Sequence, residues 1–137
     1  LYATQEPPAL NLAMIEQAMQ QMTKKYKERF VVKIGEHIKT IATAEAGYFF
    51  SQEKATYLQT LEKNRYIIDY TLEQVEQLLD PEKFFRINRK FLVSVEAIKD
   101  IVTYSNSRLR LILQHDDTMD AIVSREKVQD FKKWLDR

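Results

Sequence analysis

Phe84-Phe85-Arg86-Ile87-Asn88-Arg89-Lys90-Phe91-Leu92-Val93-Ser94-Val95-Glu96-Ala97-Ile98 sets Arg86, Arg89 and Lys90 inside a frame of apolar residues. That frame must be largely buried, so the backbone beneath the cations is held while their long side chains reach solvent. A cation on fixed backbone loses less entropy when it docks, which suits the segment to phosphate or base-edge contacts better than a flexible basic tail. Strict alternation from Arg86 to Val93 would put Arg89 on the same face as Ile87, Phe91 and Val93, so a bend or helical turn is expected near Asn88 to Phe91. The plain alternative is an ordinary strand and loop with solvated Arg and Lys, and these residues alone do not separate the two.

Downstream of this segment, Ile98 to Tyr104, Arg108 to Leu113 and Thr118 to Val123 read as a three-stranded meander. Its turns fall at Ser105-Asn106-Ser107 and Gln114-His115-Asp116-Asp117. Ser124 is placed to cap a last helix, Arg125 to Leu135, with Val128, Phe131, Trp134 and Leu135 toward the core. Upstream, Thr71-Leu72-Glu73-Gln74 matches a capping box opening a short helix with Leu72, Val75, Leu78 and Leu79 on one face, ended by Asp80-Pro81. Phe30 to Ile34 and Ile38 to Ile41 flank Gly35-Glu36-His37 as a hairpin. Tyr48 to Phe50, Tyr57 to Leu61 and Arg65 to Tyr70 are further strands, with a polar break at Ser51 to Ala55. Leu1 to Pro8 reads as an extended linker. From Leu10 to about Lys25, Met14, Ile15, Ala18, Met19 and Met22 recur at helical spacing, giving an amphipathic helix that packs on this domain or on a partner.

The chain has 137 residues, enough for one domain and a short appendage. Its formal charge of +1 makes it no polycation, so any nucleic-acid binding must come from a local patch. With Cys 0, disulfides and thiolate metal sites are excluded. No apolar run approaches the roughly 20 residues of a membrane span and no signal-peptide layout is present, which leads to the expectation of a soluble, cytoplasmic chain. A start at Leu1 rather than Met leads to the further expectation that an upstream part is missing.

Catalytic readings are weak, and no enzyme activity, metal or cofactor is expected. Ser51-x-x-Lys54 and Ser124-x-x-Lys127 match a two-residue motif of penicillin-recognising enzymes without its partner motifs. His37 and His115 fall in expected turns with no ligand at metal spacing, and Asp116, Asp117 and Asp120 lack the pattern of a calcium loop. With Gly 2, no phosphate-binding loop or dinucleotide fingerprint can be drawn. The cations are better placed: Arg86, Arg89 and Lys90 in the central segment, Lys54 in a loop, and Arg125 with Lys127 at a helix start, where unpaired N–H groups favour anions. For Arg125 the plain role is a surface arginine.

The run Phe85-Arg86-Ile87-Asn88-Arg89-Lys90-Phe91-Leu92-Val93 resembles the central signature of the LytTR family of bacterial DNA-binding domains. Other landmarks of that family follow in order: Glu45 and Tyr48, Leu72 with Leu78-Leu79-Asp80, and Val123-Ser124-Arg125 before a helix. The resemblance spans about Phe30 to Leu135. It implies a mainly β fold, an elongated stack of small antiparallel sheets with short helices, here preceded by the N-terminal amphipathic helix. It further implies a division into residues 1–28, a linker and helix following a missing receiver-like domain, and residues 29–137, the DNA-binding domain.

The function so implied is sequence-specific binding of double-stranded DNA at repeated promoter sites, as the transcription-controlling output domain of a two-component response regulator. An upstream receiver, a sensor histidine kinase and a homodimer on DNA are the implied partners. Residue by residue, the match points to the loop around Lys54, to Asn88, Arg89 and Lys90, and to Ser124 and Arg125; Arg86, a cation of the same central segment, completes the expected DNA-binding set. Departures occur at Asn88, where the family usually has His, at Lys90, where it has a small polar residue, and at Ser94, where it has Asn. Asn88 can pair bidentately with adenine and Lys90 adds a phosphate contact, so binding is expected to survive with an altered base preference. The rival reading is a β-rich interaction module whose cations meet an acidic partner.

Overall fold

The structure, a computed structural model, describes Ile15, residues 25–116 and residues 120–137. The N-terminal helix expected from Leu10 lies outside the described residues apart from Ile15, which is helical and exposed. The chain forms β1 (Arg29–Ile34) and β2 (His37–Ala42), then β3 (Ala46–Gln52), β4 (Ala55–Thr60), β5 (Arg65–Ile68) and the helix α1 (Leu72–Leu78). It continues through β6 (Phe84–Arg86), β7 (Phe91–Ser94), β8 (Ile98–Tyr104), β9 (Arg108–Leu113), β10 (Ile122–Val123) and the helix α2 (Val128–Leu135). Short 3-10 turns at Thr43–Glu45, Val95–Ala97 and Arg125–Lys127 join several of these.

The strands make three antiparallel sheets: β1-β2, the central five-stranded β5-β4-β3-β7-β6, and β10-β9-β8. Side chains alternate across a strand. In β3, Phe49 therefore joins a core with Phe30, Val32, Leu72, Val75 and Leu92, beneath the β1-β2 hairpin and α1. Tyr48 and Phe50 join a second core with Phe91, Val93, Leu111, Val123 and Phe131, beneath the three-stranded sheet and α2. The central strands β3 and β7 are thus buried on both faces, whereas the edge strand β5 leaves Ile67 exposed. Gly47 permits one close approach in this stack, since a Cβ there would lie 3.2 Å from Leu61 Cδ2 and 3.3 Å from Ala97 Cβ.

Local signals account for the boundaries. Gly35 adopts φ +61° in the first hairpin, a conformation that costs glycine little. The capping box is formed as spaced: Gln74 N–H donates to Thr71 Oγ1 at 3.1 Å, and Thr71 N–H donates to Gln74 Oε1 at 3.0 Å. Helix α2 docks through Phe131 and Trp134 against Phe85, with ring centroids 5.5 and 5.4 Å from it, while Trp134 Nε1 donates to the carbonyls of Pro81 and Glu82 at 3.1 Å.

Several expectations need correction. Leu78 is 36% exposed rather than packed, because Leu79 takes the place at the helix end on the core side. The break at Ser51 to Ala55 is a tight hairpin turn, with Glu53 and Lys54 at φ 51° and 68°. His37 belongs to a strand rather than a turn, paired with Ile34. The expected strand Thr118 to Val123 pairs with β9 only at Ile122 and Val123, and Thr118 and Met119 lie outside the described residues. The last helix opens as a 3-10 turn, and Ser124 makes no side-chain cap. Its hydroxyl instead donates to the carbonyl of Ile87 at 3.3 Å.

Truncating either core should destabilise the whole unit, since both rest on one sheet. Phe49→Ala and Phe131→Ala should each cost about 3 to 5 kcal/mol in urea denaturation, with one transition retained. Ile38→Ser, at a position 72% exposed, should change stability by no more than about 0.5 kcal/mol.

Candidate nucleic-acid interface

The bend between β6 and β7 is shaped by Asn88. Its Oδ1 accepts from the N–H groups of Lys90 at 2.7 Å and Phe91 at 2.9 Å, and its Nδ2 donates to the Ile122 carbonyl at 2.7 Å. One side chain thereby folds the loop and ties it to β10. Further bonds join the loop to the β10–α2 connection: Ser124 N–H donates to the Ile87 carbonyl at 3.0 Å, and Lys127 Nζ donates to the Arg86 carbonyl at 3.1 Å. On the other side Ser51 N–H donates to the Lys90 carbonyl at 2.9 Å, which anchors the loop to the end of β3.

Arg86 holds the same loop from beneath. Its Nε donates to the Asn88 carbonyl at 2.8 Å and one terminal nitrogen to the Arg89 carbonyl at 2.7 Å. Its guanidinium also pairs with Glu76 at 3.0 Å and Glu73 at 3.2 Å on α1. With only 9% of its side chain exposed, Arg86 spends its fork inside the protein. The carboxyl of Glu73 is held below the usual carboxylate value, first by a backbone hydrogen bond at the helix start and then by Arg86. A depressed value means that this contribution is fully present above the ordinary carboxylate range and fades as pH falls below it.

The side chains left outward are Arg89, Lys90, Arg125 and Lys54, all exposed. Arg89 and Lys90 border an open cleft of about 550 Å³ with Arg86, Asn88, Ser124 and Lys127, and with the carboxylates of Glu76 and Glu126. Arg125 borders an adjoining cleft of about 420 Å³ with Asn106 and Arg108, and Ser124 and Glu126 line both. The structure thus brings together Arg86, Asn88, Arg89, Lys90 and Ser124, with Arg125 next to them. Lys54 stands outside both clefts at the tip of the β3–β4 hairpin.

Sequence reading missed the part of Asn106 and Arg108, which showed only as a turn and a strand start. The two carboxylates in the clefts carried no signal at all. Among the described residues no cluster of His, Asp or Glu is arranged to hold a metal ion.

A stack of small β-sheets that fixes loop-borne cations around adjoining clefts has the build of a nucleic-acid-binding domain. The chain belongs to the LytTR family, whose model, described as the LytTr DNA-binding domain, matches residues 36–136. It is similar to the sensory transduction protein LytT of Bacillus subtilis, 28% identical over 88% of this chain and 56% of that protein. It is also similar to the transcriptional regulatory protein YpdB of Escherichia coli, 30% identical over 64% of this chain and 35% of that protein. The chain therefore spans about half of one of these relatives and a third of the other. Among solved structures, the LytTr DNA-binding domain of a response regulator from Bacillus cereus superposes with a TM-score of 0.69 at 26% identity, covering 80% of this chain and 97% of that one. The mainly β stack of small sheets agrees with that fold.

If Asn88 is chiefly a loop former, Asn88→Ala should cost about 1 to 3 kcal/mol by leaving backbone donors unpaired. Hydrogen exchange should then quicken at the amides of Lys90 and Phe91 in the absence of DNA. Unchanged protection at both amides would show that the loop holds its shape without this side chain.

Proposed function

We propose that this chain is the DNA-binding output domain of a two-component response regulator and controls transcription by sequence-specific binding to duplex DNA. The observation that carries this reading is the pinned loop: its backbone is tied to three neighbouring elements while Arg89 and Lys90 stay outward and exposed. Family membership supports DNA over an acidic protein as the partner. Arg89 and Arg125, starting from fixed backbone, present guanidinium forks to guanine edges in the major groove. Lys90 and Lys54 meet phosphates, and Ser124, bonded to the Ile87 carbonyl through its N–H and hydroxyl, fixes the backbone from which Arg125 projects.

Arg86 and Asn88 take a different part in this proposal from direct contact. Their polar atoms are engaged within the loop, so base reading by Asn88 would require giving up three hydrogen bonds. They act instead by holding Arg89 and Lys90 in place. Residues 1–28 would connect the domain to an upstream receiver addressed by a sensor histidine kinase, and two copies would sit on repeated promoter sites. No described helix is long and apolar enough to cross a membrane, and on this proposal the protein would work in the cytoplasm, where its DNA partner lies.

Selection from a random duplex library at low salt tests the reading, and failure to enrich any sequence would refute it. On the selected site, Arg89→Ala and Arg125→Ala should each cost about 1 to 3 kcal/mol and relax base preference locally. Lys90→Ala should weaken all sequences similarly and flatten the salt dependence by about one unit. Isotherms on selected and scrambled duplexes at several salt concentrations separate the two kinds of contact.

A further inference from the structure

The outer face of the β10-β9-β8 sheet carries a second cationic group that the proposed base-reading residues leave unused. Leu109, Leu111 and Leu113 point into the core, so alternation along β9 turns Arg108 and Arg110 to the opposite face. There the guanidinium carbons of Arg108 and Arg110 lie 5.3 and 4.4 Å from the centroid of the Tyr104 ring. Arg108 is braced further, its Nε donating to the Ser105 carbonyl at 3.2 Å and a terminal nitrogen to Ser105 Oγ at 3.5 Å. Asn106 and Ser107, both left-handed at φ 60° and 62°, lie in the three-residue connection Ser105-Asn106-Ser107 that sets Arg108 opposite Tyr104.

Two like charges on one ring repel each other, and an anion held by both would offset that repulsion. Among the described residues neither arginine is paired with a carboxylate, and Arg110 Nε is buried without an acceptor. Asn106 and Arg108 share their cleft with Arg125. We infer that the β8–β9 hairpin makes a DNA-phosphate contact through Arg108 and Asn106, steadied by Tyr104 and Arg110, which extends the footprint beyond Arg125.

Phosphate suits Arg108 better than a base edge. Ser105 already occupies part of its fork, leaving a point contact rather than a free bidentate edge. Glu126 at the cleft wall opposes any anion that enters deeply, so the phosphate is met at the rim.

This inference rests on the DNA-binding reading, and the experiment separates their failures. The full chain and its Arg108→Ala and Arg108→Lys variants are titrated with selected and scrambled duplexes across a salt series, with thermal melts to verify folding. Arg108→Ala should bind both duplexes roughly threefold to tenfold more weakly at low salt, with the log–log salt slope reduced by about one and base preference unchanged. Arg108→Lys, which keeps the charge, should recover most of the slope. Ethylation interference should show one phosphate lost from the wild-type footprint in Arg108→Ala. Wild-type affinity and slope in a folded Arg108→Ala would overturn the hairpin contact alone, whereas absence of duplex binding by the wild type would overturn the DNA reading with it.

Discussion

Everything in this fold depends on β3 and β7, neighbouring strands whose side chains are buried on both faces. Phe49 and Leu92 serve one core, while Tyr48, Phe50, Phe91 and Val93 serve the other. Each other layer is stable only because it covers one of these faces. A charge on either strand would be taken out of water without a partner, at a cost of several kcal/mol. Cations are consequently kept out of these two strands, and the loops at their ends and the outer strands are left to carry them.

A loop left to itself would be a poor reader, since ordering it on contact would consume binding energy. Here that ordering is done in advance by side chains that look like readers. Asn88 satisfies two N–H groups and a carbonyl, and Arg86 satisfies two carbonyls and two carboxylates. The geometry of Arg89 is therefore linked to α1 through Glu73 and Glu76, and to α2 through Ser124 and Lys127. A change at α1 can reach the loop that carries Arg89 through Arg86 alone.

Much of this was legible in the sequence because the signals were local and redundant. The capping box at Thr71, the turn at Gly35 and the broken alternation at Asn88 each have a single cheap solution in backbone geometry. What escaped was whatever depends on long-range partners. Nothing near Arg86 in sequence announces Glu73 or Glu76, which lie on a helix ten and more positions away. Ser124 has the right type and place for a cap, yet its hydroxyl finds Ile87 across the fold instead. The turn at Glu53 and Lys54 was read only as a polar break because neither residue favours a left-handed backbone; the strands on either side impose it.

The carboxylates of Glu76 and Glu126 stand among the cations of the clefts, and the chain as a whole carries a charge of only +1. Such a surface holds a misplaced phosphate weakly and rewards only the register in which each backbone oxygen falls beside a cation. On a chromosome, where random sites outnumber true ones by many orders of magnitude, weak grip on random sequence shortens every unproductive stop. Under the proposed function the acidic residues would act on the time taken to find an operator, and a variant stripped of them would bind more tightly in a test tube and arrive later in the cell.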